Sequence, residues 1–281
     1  MLNIQTGKSM SQARLVVYGP PGAGKSTFGA GCPSPVFICG EDGVRHLDVA
    51  RFPLVTRWAD VTSAVEQLAT EPHEFKTLVI DTLDSIEPHL QAYIFDHVKS
   101  RHAKATRYSE IEFGKGPLYS IEYWTQFLRS LDALQRKRSM NLVLLAHSQI
   151  RMRKEPMVQD YERHTLKLEE KGGASAVFQW ADDVLFATAF DGISGDRQTS
   201  VGERTLVCDR APGVEVKNRR DLPKEIPLSW DAYWTAQPSR SELVEKLLDL
   251  LPNEEEKDKA KKWSANKSAD EIKRAIERKS K

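Results

Sequence analysis

The chain has 281 residues, 40% of them hydrophobic, and a net charge of +1. That length can bury the core of one α/β domain with a small appendage, while the charge excludes a whole-molecule field for nucleic acid, so any such binding rests on local basic loops. Cys32, Cys39 and Cys208 form no C-x-x-C pair, no H-E-x-x-H occurs, and no run is long and apolar enough to span a bilayer, so the expectation is a soluble, intracellular protein with neither structural zinc nor a membrane partner.

Residues 1–13 are polar and carry no pattern. Leu15 to Tyr18 is a short apolar run suited to a strand buried on both faces. It leads into Gly19-Pro20-Pro21-Gly22-Ala23-Gly24-Lys25-Ser26-Thr27, which fits the phosphate-binding loop G-x-x-x-x-G-K-[ST]. Gly22 and Gly24 let the backbone curl so that several N–H groups face one anion. Lys25 is placed to reach the outer phosphates of ATP, and the Ser26 hydroxyl can ligate Mg²⁺. A helix from Lys25 is expected to stop at Gly31-Cys32-Pro33.

Pro35 to Cys39 reads as the next strand, ending in Gly40-Glu41-Asp42-Gly43. Two acids at that end of an open parallel sheet lie where ligands sit, although acidic turns are also common. Leu54 and Val55 suggest a third strand, and Val61 to Leu68 has helical spacing. Thr77 to Asp81 is an apolar strand closed by one aspartate, the Walker B pattern, so Asp81 can hold Mg²⁺ opposite Ser26. Thr82 follows Asp81 where many ATPases carry the catalytic acid, which leaves Glu41 as the best-placed residue to activate water.

Residues 85–98 are expected to be helical. The stretch from His97 to Ser109 contains no acid and carries Lys99, Arg101, Lys104, Arg107 and Tyr108. It reads either as a solvated basic face or as a loop that contacts phosphate backbone and stacks a base. Leu118 to Lys137 is an amphipathic helix with Ile121, Trp124, Leu128, Leu131 and Leu134 on one stripe. Asn141 to Ala146 is a buried strand ending in His147-Ser148-Gln149, a polar triplet that suits either a strand-end cap or a sensor of the terminal phosphate. His147 alone is most simply a hydrogen-bonded strand-end residue. Residues 150–173 show little regular patterning, open with Arg151, Arg153 and Lys154, and close with Gly172-Gly173.

Val177 to Ala181 restarts order and Val184 to Ala187 is a further strand. Arg204 to Cys208 and Val214 to Val216 flank Ala211-Pro212-Gly213, a hairpin signal. Lys217 and Arg219 follow, as a solvated edge or as cations that reach a phosphate across a subunit boundary. Trp230, Tyr233 and Trp234 are read as core and edge packing. Pro238 divides the chain into a core, 1–237, and a charged helical tail, 238–281, with Leu243, Leu247 and Leu250 on one stripe and little core from Trp263, Ile272 and Ala275.

In this order the motifs resemble a RecA-type P-loop ATPase, most closely the phage ATP-dependent single-strand annealing proteins with a minimal RecA core. The resemblance spans roughly residues 12–235 and rests on residues 19–26, Val36 to Glu41, Leu78 to Thr82, Leu144 to Gln149 and Val216 to Arg219. It implies an α/β fold with a mainly parallel sheet, the 141–146 strand lying between the P-loop and Walker B strands. It also implies a DNA-stimulated ATPase with ATP and Mg²⁺ bound at a protomer boundary. Glu41 takes the position of the water-activating acid and Gln149 that of the sensor, while Lys217 and Arg219 take those of paired cations acting on the neighbouring protomer's ATP. Segments 99–116 and 151–173 take the places of the two DNA-binding loops, which carry Lys99, Arg101, Lys104, Arg107, Arg151, Arg153 and Lys154. The implied partners are single-stranded DNA, further copies in a ring or filament, and a single-strand-binding protein, in a bacterial cytoplasm. RecA's large C-terminal domain is missing. Two other readings stay open, a regulatory ATPase acting on protein and a small-molecule kinase with 151–173 as its lid.

Overall fold

The computed structural model describes residues 12–279 except 103, 112–113, 155–158, 190–191, 195–196, 200–202, 210, 212, 237–239 and 268. In chain order its elements are β1 (Arg14–Gly19), α1 (Lys25–Ala30), β2 (Pro35–Cys39), β3 (Ala50–Arg51), α2 (Trp58–Thr70), β4 (Thr77–Asp81), α3 (Leu83–Val98), α4 (Lys115–Arg138), β5 (Asn141–Arg153), β6 (Tyr161–Leu166), α5 (Ser175–Trp180), β7 (Asp183–Ala189), β8 (Gly192–Ser194), β9 (Arg197–Thr199), β10 (Arg204–Val207), β11 (Glu225–Pro227), α6 (Trp230–Thr235), α7 (Arg240–Asp249), α8 (Glu254–Ser264) and α9 (Ala269–Lys279).

The sheet runs β11-β10-β7-β1-β5-β4-β2-β3, and β8 pairs with β9 apart from it. The five pairings from β7 through to β3 are parallel, and β10 and β11 add an antiparallel edge. β5 therefore lies between the P-loop strand β1 and the Walker B strand β4, in the order the RecA resemblance implies. The apolar runs explain the two-layer burial. Along β1, Val16 and Tyr18 face a core with α2, α3 and α4, while Leu15 and Val17 face a second core with Phe28 of α1 and Trp230 of α6. β4 and β5 alternate the same way, as strands covered on both faces must.

Several sequence expectations are corrected. The third strand is Ala50–Arg51, not Leu54-Val55, although the Val55 N–H still donates to Cys39 O at 3.0 Å. β5 does not stop at Ala146 but runs to Arg153 and pairs antiparallel with β6, from Ser148 opposite Leu166 to Arg153 opposite Tyr161. Its outer half shows no apolar-in alternation because Ile150 and Met152 are both 57% exposed. Residues 204–207 and 214–216 do not pair with each other: β10 pairs with β7 and β11, whereas Val214 bridges His164. Pro212, of that expected turn, and Pro238 lie outside the described residues.

The tail also has more core than its charge suggests. Leu243 and Leu247 of α7 pack with Ile272 and Ile276 of α9, whereas Leu250 is 41% exposed. Lys224–Glu245 and Lys246–Asp221 ion pairs tie α7 to the sheet's edge region.

Candidate nucleotide site

Parallel register brings the chemistry to one edge of the sheet. Gly19 at the end of β1 is level with His147 on β5, and Cys39 at the end of β2 is level with Asp81 on β4. The loops that leave these ends form a pocket of about 300 Å³. Pro21, Gly22, Gly24, Lys25, Ser26 and Thr27 line it with the two expected acids, Glu41 and Asp81. Its remaining walls are His46, Thr82, His147 and Arg204. Of the other P-loop residues, Ala23 is buried, while Gly19 and Pro20 supply carbonyls that accept from Lys25 Nζ at 3.0 and 2.9 Å. Gly22 and Gly24 have φ of 78° and 103°, the left-handed backbone that glycine adopts without strain.

The charges in the pocket depend on one another. Burial lowers the Lys25 ammonium pKa, and the charges of Asp81, Asp84 and Glu41 oppose that shift. Burial raises the Asp81 carboxyl, while its hydrogen bond from Ser26 pulls it down and the nearby Glu41 charge pushes it further up. A buried carboxylate joined to a hydroxyl beside a phosphate loop is the hard-oxygen donor set that Mg²⁺ takes. Ser26 and Asp81 are thus the residues that would hold the ion, which when bound neutralises charge between the outer phosphates. Asp42 is engaged by Arg45, whereas Glu41 faces the pocket.

His147, passed over in favour of Gln149, is the residue of the polar triplet that reaches the pocket. Asp84, on the first turn of α3, accepts from the His147 backbone N–H at 2.8 Å and lies 2.9 Å from its Nδ1. Burial raises the Asp84 carboxyl, but those hydrogen bonds outweigh it and hold the group below the ordinary range. With Nδ1 donating to Asp84, Nε2 has no hydrogen-bond partner among the described residues. Gln149 instead donates to Leu166 O and Leu168 O at 2.7 and 3.2 Å and does not line the pocket. Asp84, the third residue past the Walker B strand, is the sequence feature that accompanies His147.

The other predicted residues lie elsewhere. Lys217 donates to Phe178 O, Gln179 O and Ala181 O at 2.9, 2.8 and 2.6 Å, capping the end of α5, and its ammonium pKa is lowered by burial and by Arg219. The Arg219 N–H donates to Asp183 at 2.8 Å and its guanidinium to Asp182 at 3.2 Å. A wider cleft of about 1320 Å³ includes Lys217, but P-loop residues do not line it. In the basic loop, Lys99 pairs with Asp96 and Arg107 with Glu110. Arg101 and Lys104 are exposed. On the β5–β6 hairpin, Arg151 pairs with Glu170, Arg153 with Glu170 and Glu215, and Lys154 lies 4.0 Å from Asp160.

A family model described as an AAA domain matches residues 11–220. The chain belongs to that family, and is a P-loop nucleoside-triphosphatase domain. No curated protein matches it. Among solved structures, the crystal structure of the RadB recombinase is similar at 12% identity and a TM-score of 0.39, over 74% of this chain and 91% of that one. A likeness this loose assigns neither fold nor function. No helix among the described residues is long and apolar enough to cross a membrane.

Proposed function

We propose that the chain is an ATP-dependent, single-stranded-DNA-binding protein of the recombinase or annealing type, hydrolysing ATP at a boundary between protomers. One observation carries the DNA half of this reading. β5 is a single strand that passes the nucleotide pocket at His147 and continues to the Arg151, Arg153 and Lys154 hairpin. In this reading the strand couples its phosphate end to its basic end, with no loop between them.

In this reading the P-loop and Lys25 hold the polyphosphate, Glu41 takes a proton from the attacking water, and His147 Nε2, oriented by Asp84, contacts the outer phosphate in place of Gln149. Lys217 and Arg219 act on the ATP of a neighbouring protomer, which requires Lys217 to leave the α5 carbonyls. ATP then strengthens DNA binding, and linkage demands that DNA strengthen ATP binding by the same factor.

The test is fluorescence anisotropy on a labelled single-stranded oligonucleotide, with and without a non-hydrolysable ATP analogue, together with ATP turnover with and without DNA. Tighter DNA binding with the analogue and faster turnover with DNA are expected. No binding at low salt in either condition would remove the DNA reading and leave a regulatory ATPase acting on protein.

A further inference from the structure

The pocket holds a second cation that the P-loop motif does not supply. β10 runs antiparallel to β7, with Arg204 opposite Ala189. That direction brings the first residue of β10 to the edge where the parallel strands end. The Leu228 N–H donates to Arg204 O at 2.9 Å and fixes the backbone there. The side chain then lies across the P-loop: a Cβ added to Gly24 would stand 2.9 Å from Arg204 Nη1 and 3.1 Å from its Cδ. Gly24 is required by its φ of 103°, and the Arg204 guanidinium rests against it.

The partners of Arg204 point the same way. Arg14, Arg151, Arg153 and Arg219 each pair with a carboxylate. Among the described residues no carboxylate pairs with Arg204, although it lines a pocket that contains Glu41 and Asp81. A guanidinium has a planar fork of donors that matches phosphate oxygens. Lys25, by contrast, is turned onto the carbonyls of Gly19 and Pro20.

Resting on the nucleotide-site reading above, we propose that Arg204 is a polyphosphate ligand acting within its own protomer, closing on the bound phosphates from the β10 side of the P-loop. Its position against the loop backbone favours phosphate over the base. The contact is made by the same chain that supplies Lys25, so it does not need the assembly that Lys217 and Arg219 require.

The experiment measures Mg²⁺-dependent binding of ATP and of inorganic tripolyphosphate by calorimetry, to wild type, Arg204→Ala, Arg204→Lys and Lys25→Ala. Arg204→Ala is expected to weaken both ligands by about ten- to a hundredfold, the range of a lost charge-assisted hydrogen bond. Arg204→Lys should recover only part, because an ammonium cannot offer the fork. Arg204 is exposed, so its variants should keep the wild-type melting curve. Unchanged tripolyphosphate affinity in Arg204→Ala overturns the proposal, and a fall for ATP alone assigns the side chain to the base instead. Failure of wild type to bind either ligand removes the nucleotide site itself, and that result is separate from a failure confined to Arg204.

Discussion

The backbone N–H of Glu169 lies 3.2 and 3.1 Å from the two carboxylate oxygens of Glu87. Glu87 is one helical turn beyond Asp84, so neighbouring positions of α3 hold His147 in the nucleotide pocket and the chain that leaves β6. The Tyr108 hydroxyl, from the basic loop, donates to the Glu169 carboxylate at 2.7 Å. Gly172 and Gly173 complete the contact, since a Cβ at either would collide with Glu169, Ser120, Trp124 or Glu87. Helix α3, which begins beside Asp81, thereby touches both loops proposed to meet DNA.

Glu87 makes this contact sensitive to pH. Burial pushes its carboxyl up to about 7; the Glu169 N–H opposes the shift, and the Glu169 and Asp84 charges add to it. The folded protein thus binds a proton more tightly than the unfolded chain, for which the ordinary value is 4.5. The stabilisation is complete below about pH 4.5 and is lost as pH rises through 7. Glu87→Gln removes that loss and can still accept the Glu169 N–H. Relative to wild type it should gain up to about 3 kcal/mol between pH 5 and pH 8. Urea denaturation at the two pH values measures this, and a gap that does not change with pH would place the Glu87 pKa near the ordinary value.

Glu41→Gln should bind ATP normally and hydrolyse it about 10² to 10⁴ times more slowly, because an amide takes no proton from water. Asp42→Asn should retain turnover, since Asp42 is engaged by Arg45. The reverse pattern in a steady-state phosphate-release assay would move the base to Asp42. Lys25→Ala, as the companion control, should lose productive ATP binding.

Lys217→Ala has two separable consequences. Three carbonyls at the end of α5, those of Phe178, Gln179 and Ala181, lose their donor, so unfolding should be easier by about 1–3 kcal/mol. If Lys217 and Arg219 also act across a boundary, mixing Lys25→Ala with Lys217→Ala/Arg219→Ala should restore some turnover, because one interface type pairs an intact P-loop with intact cations. Complete absence of rescue, with both variants folded and assembled, would leave Lys217 with the capping role alone.

The sequence made the nucleotide edge legible because its residues are contiguous with apolar strands. Leu15 to Ser26 and Thr77 to Asp81 each couple a buried run to a polar end, and the parallel register does the rest. His147 and Arg204 were not legible. His147 is marked only by Asp84, 63 positions earlier, and Arg204 only by the antiparallel sense of β10, which no local pattern encodes. The β5–β6 hairpin was missed for a related reason. There Ile150 and Met152 alternate with Arg151 and Arg153, but the apolar pair is the exposed one and the arginines turn to Glu170 and Glu215, so the alternation does not mark a core face. Ile272 became core because α7 and α9 bury each other's apolar faces, a pairing invisible along either helix alone.

The final prediction concerns the hairpin cations. Glu170 is 2.7 Å from Arg151 Nη1 and 3.4 Å from Arg153 Nη1, and Glu215 is 3.1 Å from Arg153 Nη2. A guanidinium already shared with a carboxylate has less to offer a phosphate, so binding DNA through this arm requires exchanging one anion for another. Glu170→Gln should therefore tighten single-strand binding by severalfold and steepen its salt dependence, by a log–log slope of up to about 0.7 for each contact released. Arg151→Gln in the same background should cancel the gain. In the other loop, neutralising Arg101, Lys104 and Arg107 together should flatten the slope by up to about two units while ATP affinity stays near wild type. Arg101 and Lys104 should carry most of that change, because Arg107 is held by Glu110 at 2.8 Å. Salt-titrated anisotropy measures both effects. If Glu170→Gln and Arg151→Gln leave affinity and slope unchanged while the triple variant moves them, DNA runs along the 99–116 loop alone and the hairpin cations serve only to pin the β6 to α5 segment.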